Sequence, residues 1–222
     1  MPLLSNNLLM PLPLISTPNQ PIARLILAHG AGAGADSEVM QQLAAALVAE
    51  QIEVIRFNFP YMQRQLTLGR KSFPDKMPLL LTAMQAQIQQ CTTELPLFIG
   101  GKSLGGRVAS LITEPSCQVS QRRVLANFAF GYPFHAPNKT VWRTEHFTRL
   151  ERPMHIIQGE RDAFGNKQEL ADKAWPGVTM DWLPDGDHDF KPRKASGYTQ
   201  AELIVLSARL CREKIDEILL AN

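Results

Sequence analysis

Residues Leu95–Leu111 read LPLFIGGKSLGGRVASL, and the way they fold decides the rest of the chain. The apolar run Leu97-Phe98-Ile99 suits a buried strand. Four glycines (Gly100, Gly101, Gly105 and Gly106) surround one serine, and Arg107–Thr113 suits a helix. Gly101-Lys102-Ser103-Leu104-Gly105 therefore matches G-x-S-x-G between a strand and a helix, the setting in which a serine is presented as a nucleophile on a tight turn. Such a turn strains the serine backbone and brings strand and helix so close that side chains two positions before and after would collide. Gly101 and Gly105 thus have a steric role. The start of the following helix directs free N–H groups to where an oxyanion would form. With glycine at about 7% of residues, the bare pattern arises by chance in about one of ten or twenty chains of this length, so it needs a base and an acid downstream.

Working outward, the chain alternates strands and helices. Residues 1–21 carry Pro2, Pro11, Pro13, Pro18 and Pro21 and read as an N-terminal arm ahead of a domain spanning 22–222. Ile22–Ala28 is the first strand and ends in His29-Gly30-Ala31-Gly32-Ala33-Gly34. Asp36 or Ser37 caps a helix reaching about Ala49, and Ile52–Phe57 is the next strand. Asn58-Phe59-Pro60-Tyr61 opens a polar, basic loop running to Pro78, followed by a helix from Leu79 to about Gln90. After the serine turn come strand Val124–Phe130, strand His155–Gln158, a helical stretch Lys167–Trp175, strand Val178–Leu183 and a long helix Ala201–Ala221. The strands are continuous apolar runs, which predicts a single-domain α/β fold with a mostly parallel sheet and helices on both faces. In such sheets functional loops lie at the carboxyl ends of strands, where His29–Gly34, Gly100–Gly106, Gly159–Asp162 and Asp185–Phe190 all fall.

The bulk properties narrow the function classes. The 222 residues can bury one full core, and 45% hydrophobic with 20% charged residues describes an ordinary globular chain. A net charge of +2, with only short basic clusters at Arg122-Arg123 and Lys191–Lys194, argues against nucleic acid as a partner. The apolar start lacks a basic leader and is broken by prolines, and no stretch is long enough to span a membrane. Cys91, Cys117 and Cys211 fit no disulfide or metal spacing and suggest a reducing, cytoplasmic setting.

An alcohol needs a base near neutrality, and histidine is the usual one. Of five histidines, His188 follows the last strand in a tight acidic turn and is best placed. His135 and His146 read as surface or loop-packing residues, His155 as structural, and His29 as either a buried histidine or an anchor of the glycine loop. Asp162, after strand His155–Gln158, has the right place for the carboxylate that orients the base, with Glu160 its nearest decoy. Asp185, Asp187 and Asp189 look like turn-forming residues. Oxyanion donors would be the N–H of Leu104 and one from the first glycine loop, at Ala31. That loop lacks both G-x-G-x-x-G spacing and a GK[ST] ending, which argues against a nucleotide cofactor. The scattered histidines give no metal constellation, so no cofactor is expected.

The stretches LILAHGAGA (Leu25–Ala33), VIRFNFPYM (Val54–Met62), IGGKSLGGRVAS (Ile99–Ser110), FGYPFH (Phe130–His135), IIQGERDAFG (Ile156–Gly165) and DGDHDF (Asp185–Phe190) together resemble the α/β-hydrolase superfamily. Within it the chain resembles small bacterial hydrolases of the dienelactone-hydrolase group. More narrowly, it resembles the family that includes the testis-expressed and KAT8-complex-associated hydrolase-like proteins of animals. The resemblance implies Ser103 as nucleophile, Asp162 as orienting acid and His188 as base, in the chain order of that superfamily. It also implies extra antiparallel strands at the start of the fold, for which this N-terminus is short. Animal members of the narrow family act partly as assembly components, so a non-catalytic interaction protein is the alternative to a carboxylesterase-like serine hydrolase. Thioesterase, amidase or peptidase activity would use the same residues. Between Phe130 and His155 there is room for a loop and one short helix but no large lid, which favours a small ester or related acyl compound as substrate. Arg56, Arg64, Arg70, Lys71 and Lys102 could place positive charge near the mouth and favour an anionic one; surface solvation is the blander account of Arg64, Arg70 and Lys71, and a salt bridge below the active site is the alternative for Lys102.

Overall fold

The computed structural model describes residues 12–92, 94–113 and 124–221. Cys117, Arg122-Arg123 and the first eleven residues of the proposed arm lie outside them. Seven strands form one sheet: β1 (Leu14–Ser16), β2 (Ala23–Ala28), β3 (Ile52–Phe57), β4 (Leu97–Lys102), β5 (Val124–Phe130), β6 (Met154–Gly159) and β7 (Val178–Leu183). Their order is β1-β3-β2-β4-β5-β6-β7, and every pairing is parallel except β1 with β3. The helices are α1 (Glu38–Ala49), α2 (Pro60–Leu68), α3 (Met77–Gln90), α4 (Leu104–Ile112) and α5 (Gln200–Ala221).

Alternation along β2 shows how the two faces are built. Leu25 and Leu27 pack with Leu43 and Leu47 of α1 and with Leu203, Ala208 and Ile215 of α5. Ile26 and Ala28 point the other way, against Met62, Leu80, Met84, Val108 and Ile112 of α2, α3 and α4. Both faces are covered, so the strands carry continuous apolar runs. This is the α/β-hydrolase fold. The connection between β5 and β6 holds only a three-residue 3-10 turn, Phe147–Arg149, and forms no large lid. It folds inward instead, packing Tyr132, Phe134 and Phe147 mostly edge-on into an aromatic cluster with Trp175, which stacks on Phe134. Among the described residues no helix is long and apolar enough to cross a membrane.

Four local expectations are corrected. Leu14–Ser16, inside the stretch read as an arm, pairs with Arg56, Ile55 and Val54 as an edge strand of the sheet. Residues 60–68 are a helix: Pro60 sits in its first turn, Gly69 ends it at φ 63°, and the buried Tyr61 and Met62 hold it down. The serine turn is tighter than expected, because β4 runs through both glycines to Lys102 and α4 starts at Leu104. Lys167–Trp175 makes successive turns but no helix. From 167 to 174 only Leu170 is buried, so no apolar face supports a regular helix.

Candidate active site

Ser103 stands between β4 and α4 with φ 50° and ψ −112°. A side-chain-bearing residue there costs roughly 1–3 kcal/mol, so the surroundings must impose the turn. Ser103 N–H donates to Phe130 O (3.1 Å), and Arg107 N–H donates to Ser103 O (3.1 Å). The flanking glycines allow α4 to press on β2: a Cβ on Gly101 would lie 2.6 Å from Ala28 O, and one on Gly105 2.7 Å from Ala28 C. No real side chain tolerates either contact.

The turn at the end of β7 brings His188 over this serine. His188 Nε2 is 2.8 Å from Ser103 Oγ, and Nδ1 is 2.8 Å from Asp162 Oδ2. With Nδ1 donating to the carboxylate, Nε2 is the acceptor facing the hydroxyl. Asp162 is fully buried at the end of β6. It also accepts from Gln158 Nε2 (2.9 Å, to Oδ2) and Phe164 N–H (2.7 Å, to Oδ1). Gln158 accepts in turn from Tyr132 N–H (2.7 Å), and its two amide hydrogens are shared among Asp162 and the carbonyls of Tyr132 and Gly165. The Phe164 ring lies 4.1 Å from the His188 ring, covering one face.

Lys102 lies beneath the serine. Its buried Nζ donates to His188 O (2.6 Å), is 3.4 Å from Asp189 Oδ1 and sits 5.7 Å above the Phe190 ring. Burial pushes its pKa down, against the pull of Asp189 and the other nearby carboxylates. Lys102 thus ties the strand carrying the serine to the loop carrying the histidine.

On the opposite side, β2 ends in the glycine loop. His29 is fully buried; Nδ1 donates to Gly30 O (2.6 Å) and Nε2 accepts from Phe59 N–H (3.0 Å). Those partners fix the neutral tautomer, and burial pushes the pKa down to about 4. Tyr61 O–H is shared between Gly30 O (3.1 Å) and Ala31 O (3.2 Å). Ala35 N–H donates to Asn58 Oδ1 (2.8 Å), and Arg56 donates to Ala35 O (2.8 Å). The NFPY stretch is therefore the mount of the glycine loop. Sequence reasoning left its role unassigned, although its adjacency to the end of β3 was the available signal. Neither Ala31 N–H nor Leu104 N–H donates to another described protein group.

Ser103, Asp162 and His188 come together; the other candidates do not join them. Glu160 accepts from Lys167 (2.7 Å) and from Asp185 N–H (3.0 Å). Asp187 accepts from the N–H groups of Asp189 and Lys191, as a turn-former should. Asp185 binds Arg193 and Arg161. His135 bonds Ala136 O, His146 meets Ser110 Oγ, and His155 lies between Thr179 and Asp181. Gln158, Phe164 and Tyr61 were missed, because nothing in their spacing marks a buried polar or stacking role.

A cleft of about 550 Å³ opens over Ser103 and His188, walled by the loop Gly30–Ala33, the first turn of α1 and Phe164. The expected positive mouth is absent. Arg56 is turned to Ala35 O, Arg64 pairs with Asp75 (2.5 Å), Lys102 is buried below, and Arg70 and Lys71 do not line the cleft. Besides His188, the ionisable groups lining the cleft are Glu38, Asp189 and Lys102, the last two paired with each other at 3.4 Å.

The sequence profile of the family described as alpha/beta hydrolase domain matches residues 21–216. No curated protein sequence matches the chain significantly. Among solved structures, Est1E from Butyrivibrio proteoclasticus with ferulic acid bound superposes with a TM-score of 0.67 at 12% identity, over 92% of this chain and 95% of that one. An alpha-beta serine hydrolase homologue from Coxiella burnetii gives 0.64 at 15%, over 91% and 90%. Dienelactone hydrolase from Anabaena variabilis gives 0.63 at 19%, over 90% and 88%. At these identities the likeness is one of fold.

Proposed function

From the premise that this chain belongs to the α/β-hydrolase family, we propose that it is a serine hydrolase that cleaves a small carboxylic ester or related acyl compound through a covalent acyl-enzyme. The observation that carries the reading is the unbroken chain from Ser103 Oγ through His188 to the buried Asp162, each step 2.8 Å, on a strained turn that a purely structural protein has no need to maintain.

In the first half-reaction His188 Nε2 takes the Ser103 proton as Oγ bonds to the acyl carbon. The carbonyl electron pair moves onto oxygen, where the N–H groups of Leu104 and Ala31 receive it. His188, now an imidazolium stabilised by Asp162, gives its proton to the departing alcohol and leaves the acyl group on Ser103. Water then attacks with His188 again as base, releasing the acid and restoring the serine. The cleft suits a compact acyl group, and because its lining cation, Lys102, is committed to His188 O and Asp189, it offers no free counter-charge to an anionic substrate, which favours a neutral one. The finer kinship, with dienelactone-hydrolase-like enzymes and the animal hydrolase-like proteins, rests on the motifs quoted above and agrees with a lidless site of this size.

The test is labelling with a fluorophosphonate probe and mass spectrometry to locate the adduct, with His188→Ala as control. The expected result is an adduct on Ser103 that is lost in the control. A folded protein without an adduct would overturn the reading in favour of a non-catalytic role.

A further inference from the structure

The orientation of the Gly30–Ala31 peptide is imposed from behind. In a trans peptide the carbonyl and the following N–H point in opposite directions. Gly30 O is held by His29 Nδ1 at 2.6 Å and shares the Tyr61 hydroxyl proton (3.1 Å) with Ala31 O (3.2 Å); both side chains are fully buried. Ala31 N–H must therefore point away from them. Ala31 lines the cleft, and a Cβ on Gly30 would lie 3.7 Å from Ser103 Cβ, so the peptide stands beside the serine. In a loop of alternating glycines and alanines this peptide could otherwise rotate, turning its carbonyl toward the serine and replacing a donor with an acceptor.

The clamp itself is fixed in turn. Phe59 N–H holds His29 Nε2 as an acceptor, which leaves Nδ1 as the donor. The ring is packed edge-on against Phe59 and Tyr61, at centroid distances of 5.0 Å and 5.8 Å. We propose that His29 and Tyr61 are positioning residues for acyl transfer, which hold the Gly30 carbonyl so that Ala31 N–H is permanently aimed at the developing oxyanion. This rests on the serine-hydrolase reading above. It adds two side chains that never touch substrate and act through one backbone peptide, and their contribution is greater in the transition state than in the ground state.

The experiment compares Tyr61→Phe, His29→Ala and His29→Asn with the wild type on short p-nitrophenyl esters. Rates are expressed per Ser103 titrated with fluorophosphonate, so that unfolded protein does not count. A trifluoromethyl ketone, which forms an oxyanionic adduct on an active serine, reports transition-state affinity. Removing a direct oxyanion donor costs about 10²–10³-fold, so loosening one should lower kcat by about 10-fold in Y61F and up to about 100-fold in H29A, with KM within about 2-fold. Ketone affinity should fall in parallel with kcat/KM. His29→Asn places an amide N–H near the position of Nδ1 and should recover most of the H29A loss. If kcat per titrated site stays within about 2-fold of wild type in both Y61F and H29A, the proposal is overturned while the serine-hydrolase reading stands. If the wild type neither labels nor turns over, that reading fails and the proposal falls with it.

Discussion

The loops Gly30–Ala33 and Asp185–Phe190 flank Ser103 from opposite sides, but different forces hold them. The glycine loop is mounted mainly on buried neutral groups: the His29 imidazole, the Tyr61 hydroxyl and the Asn58 amide, with Arg56 donating to Ala35 O. The histidine loop is mounted on charges: Lys102 with Asp189, Asp185 with Arg161 and Arg193, and Glu160 with the Asp185 N–H. The contrast follows from what each loop does in the proposed reaction. A backbone donor that stabilises an anion needs one fixed direction, which short bonds to buried groups supply. A base that becomes a cation needs carboxylates near it, and those need their own counter-charges.

After loss of His188 itself, the largest effect expected on the charged side is from Asp162→Asn. Phe164 N–H donates to one oxygen, and Gln158 and His188 both face the other. An asparagine cannot accept at both positions. With its oxygen toward Phe164, its NH2 faces His188 Nδ1 and forces the tautomer whose Nε2 carries a proton. Turned the other way it keeps the correct tautomer but sets NH2 against Phe164 N–H. Turnover should fall about 10³–10⁴-fold, less than for His188→Ala because a fraction with the right tautomer survives. Steady-state rates of the two variants decide it, and equal losses would remove the case for tautomer control.

Lys102→Met probes the same side one step further out. It deletes the donor to His188 O, the partner of Asp189 and the ammonium over the Phe190 ring while keeping an unbranched apolar side chain of similar length. We expect a loss of about 10-fold in kcat, since one charge-assisted hydrogen bond contributes about 1.5–3 kcal/mol to fixing the loop and only part of that acts in the transition state. The wild-type rate should decline with added salt more than that of K102M. An unchanged salt response would mean the ion pair does not position the loop.

How much of this was legible beforehand differs between the same two loops. Ser103, Asp162 and His188 could be found because their chemistry is tied to fixed places: a glycine-flanked turn and the carboxyl ends of two apolar strands. The α/β architecture was legible because continuous apolar strands and amphipathic helices have different periods. Tyr61, Gln158 and Phe164 were hidden because each works through a contact across 30, 4 or 24 residues that only the folded sheet creates. The helix Pro60–Leu68 was missed for a related reason: its Pro and Gly boundaries were present, but six exposed or half-exposed residues after Met62 masked its short apolar face.

The neutral side predicts a pH effect on stability. His29 has a pKa of about 4 in the fold, against 6.5 when free, because burial disfavours the imidazolium. The unfolded chain therefore binds the proton first as pH falls. The contribution is complete above pH 6.5 and is lost progressively down to about pH 4, at about 1.4 kcal/mol per unit and roughly 3 kcal/mol in all. Denaturant titrations of wild type and His29→Asn across this range isolate the contribution, because other groups cancel in the difference. The wild-type curve should drop more steeply with acid; parallel curves would mean His29 is not held neutral.

The smallest effect is expected at the rim of the charged loop, from Arg193→Ala. Arg193 donates its backbone N–H and its guanidinium to Asp185, but the guanidinium is 69% exposed. Water and salt screen that pair, and the backbone bond survives the substitution. Asp185 also keeps Arg161. The melting temperature should therefore move by no more than about 2 °C, and kcat should be unchanged. A marked loss of activity would show that the surface ion pairs, and not Lys102 alone, set the position of His188. The contrast between the two loops would then sharpen into one between a side fixed by a few buried bonds and a side fixed collectively by its whole charge network.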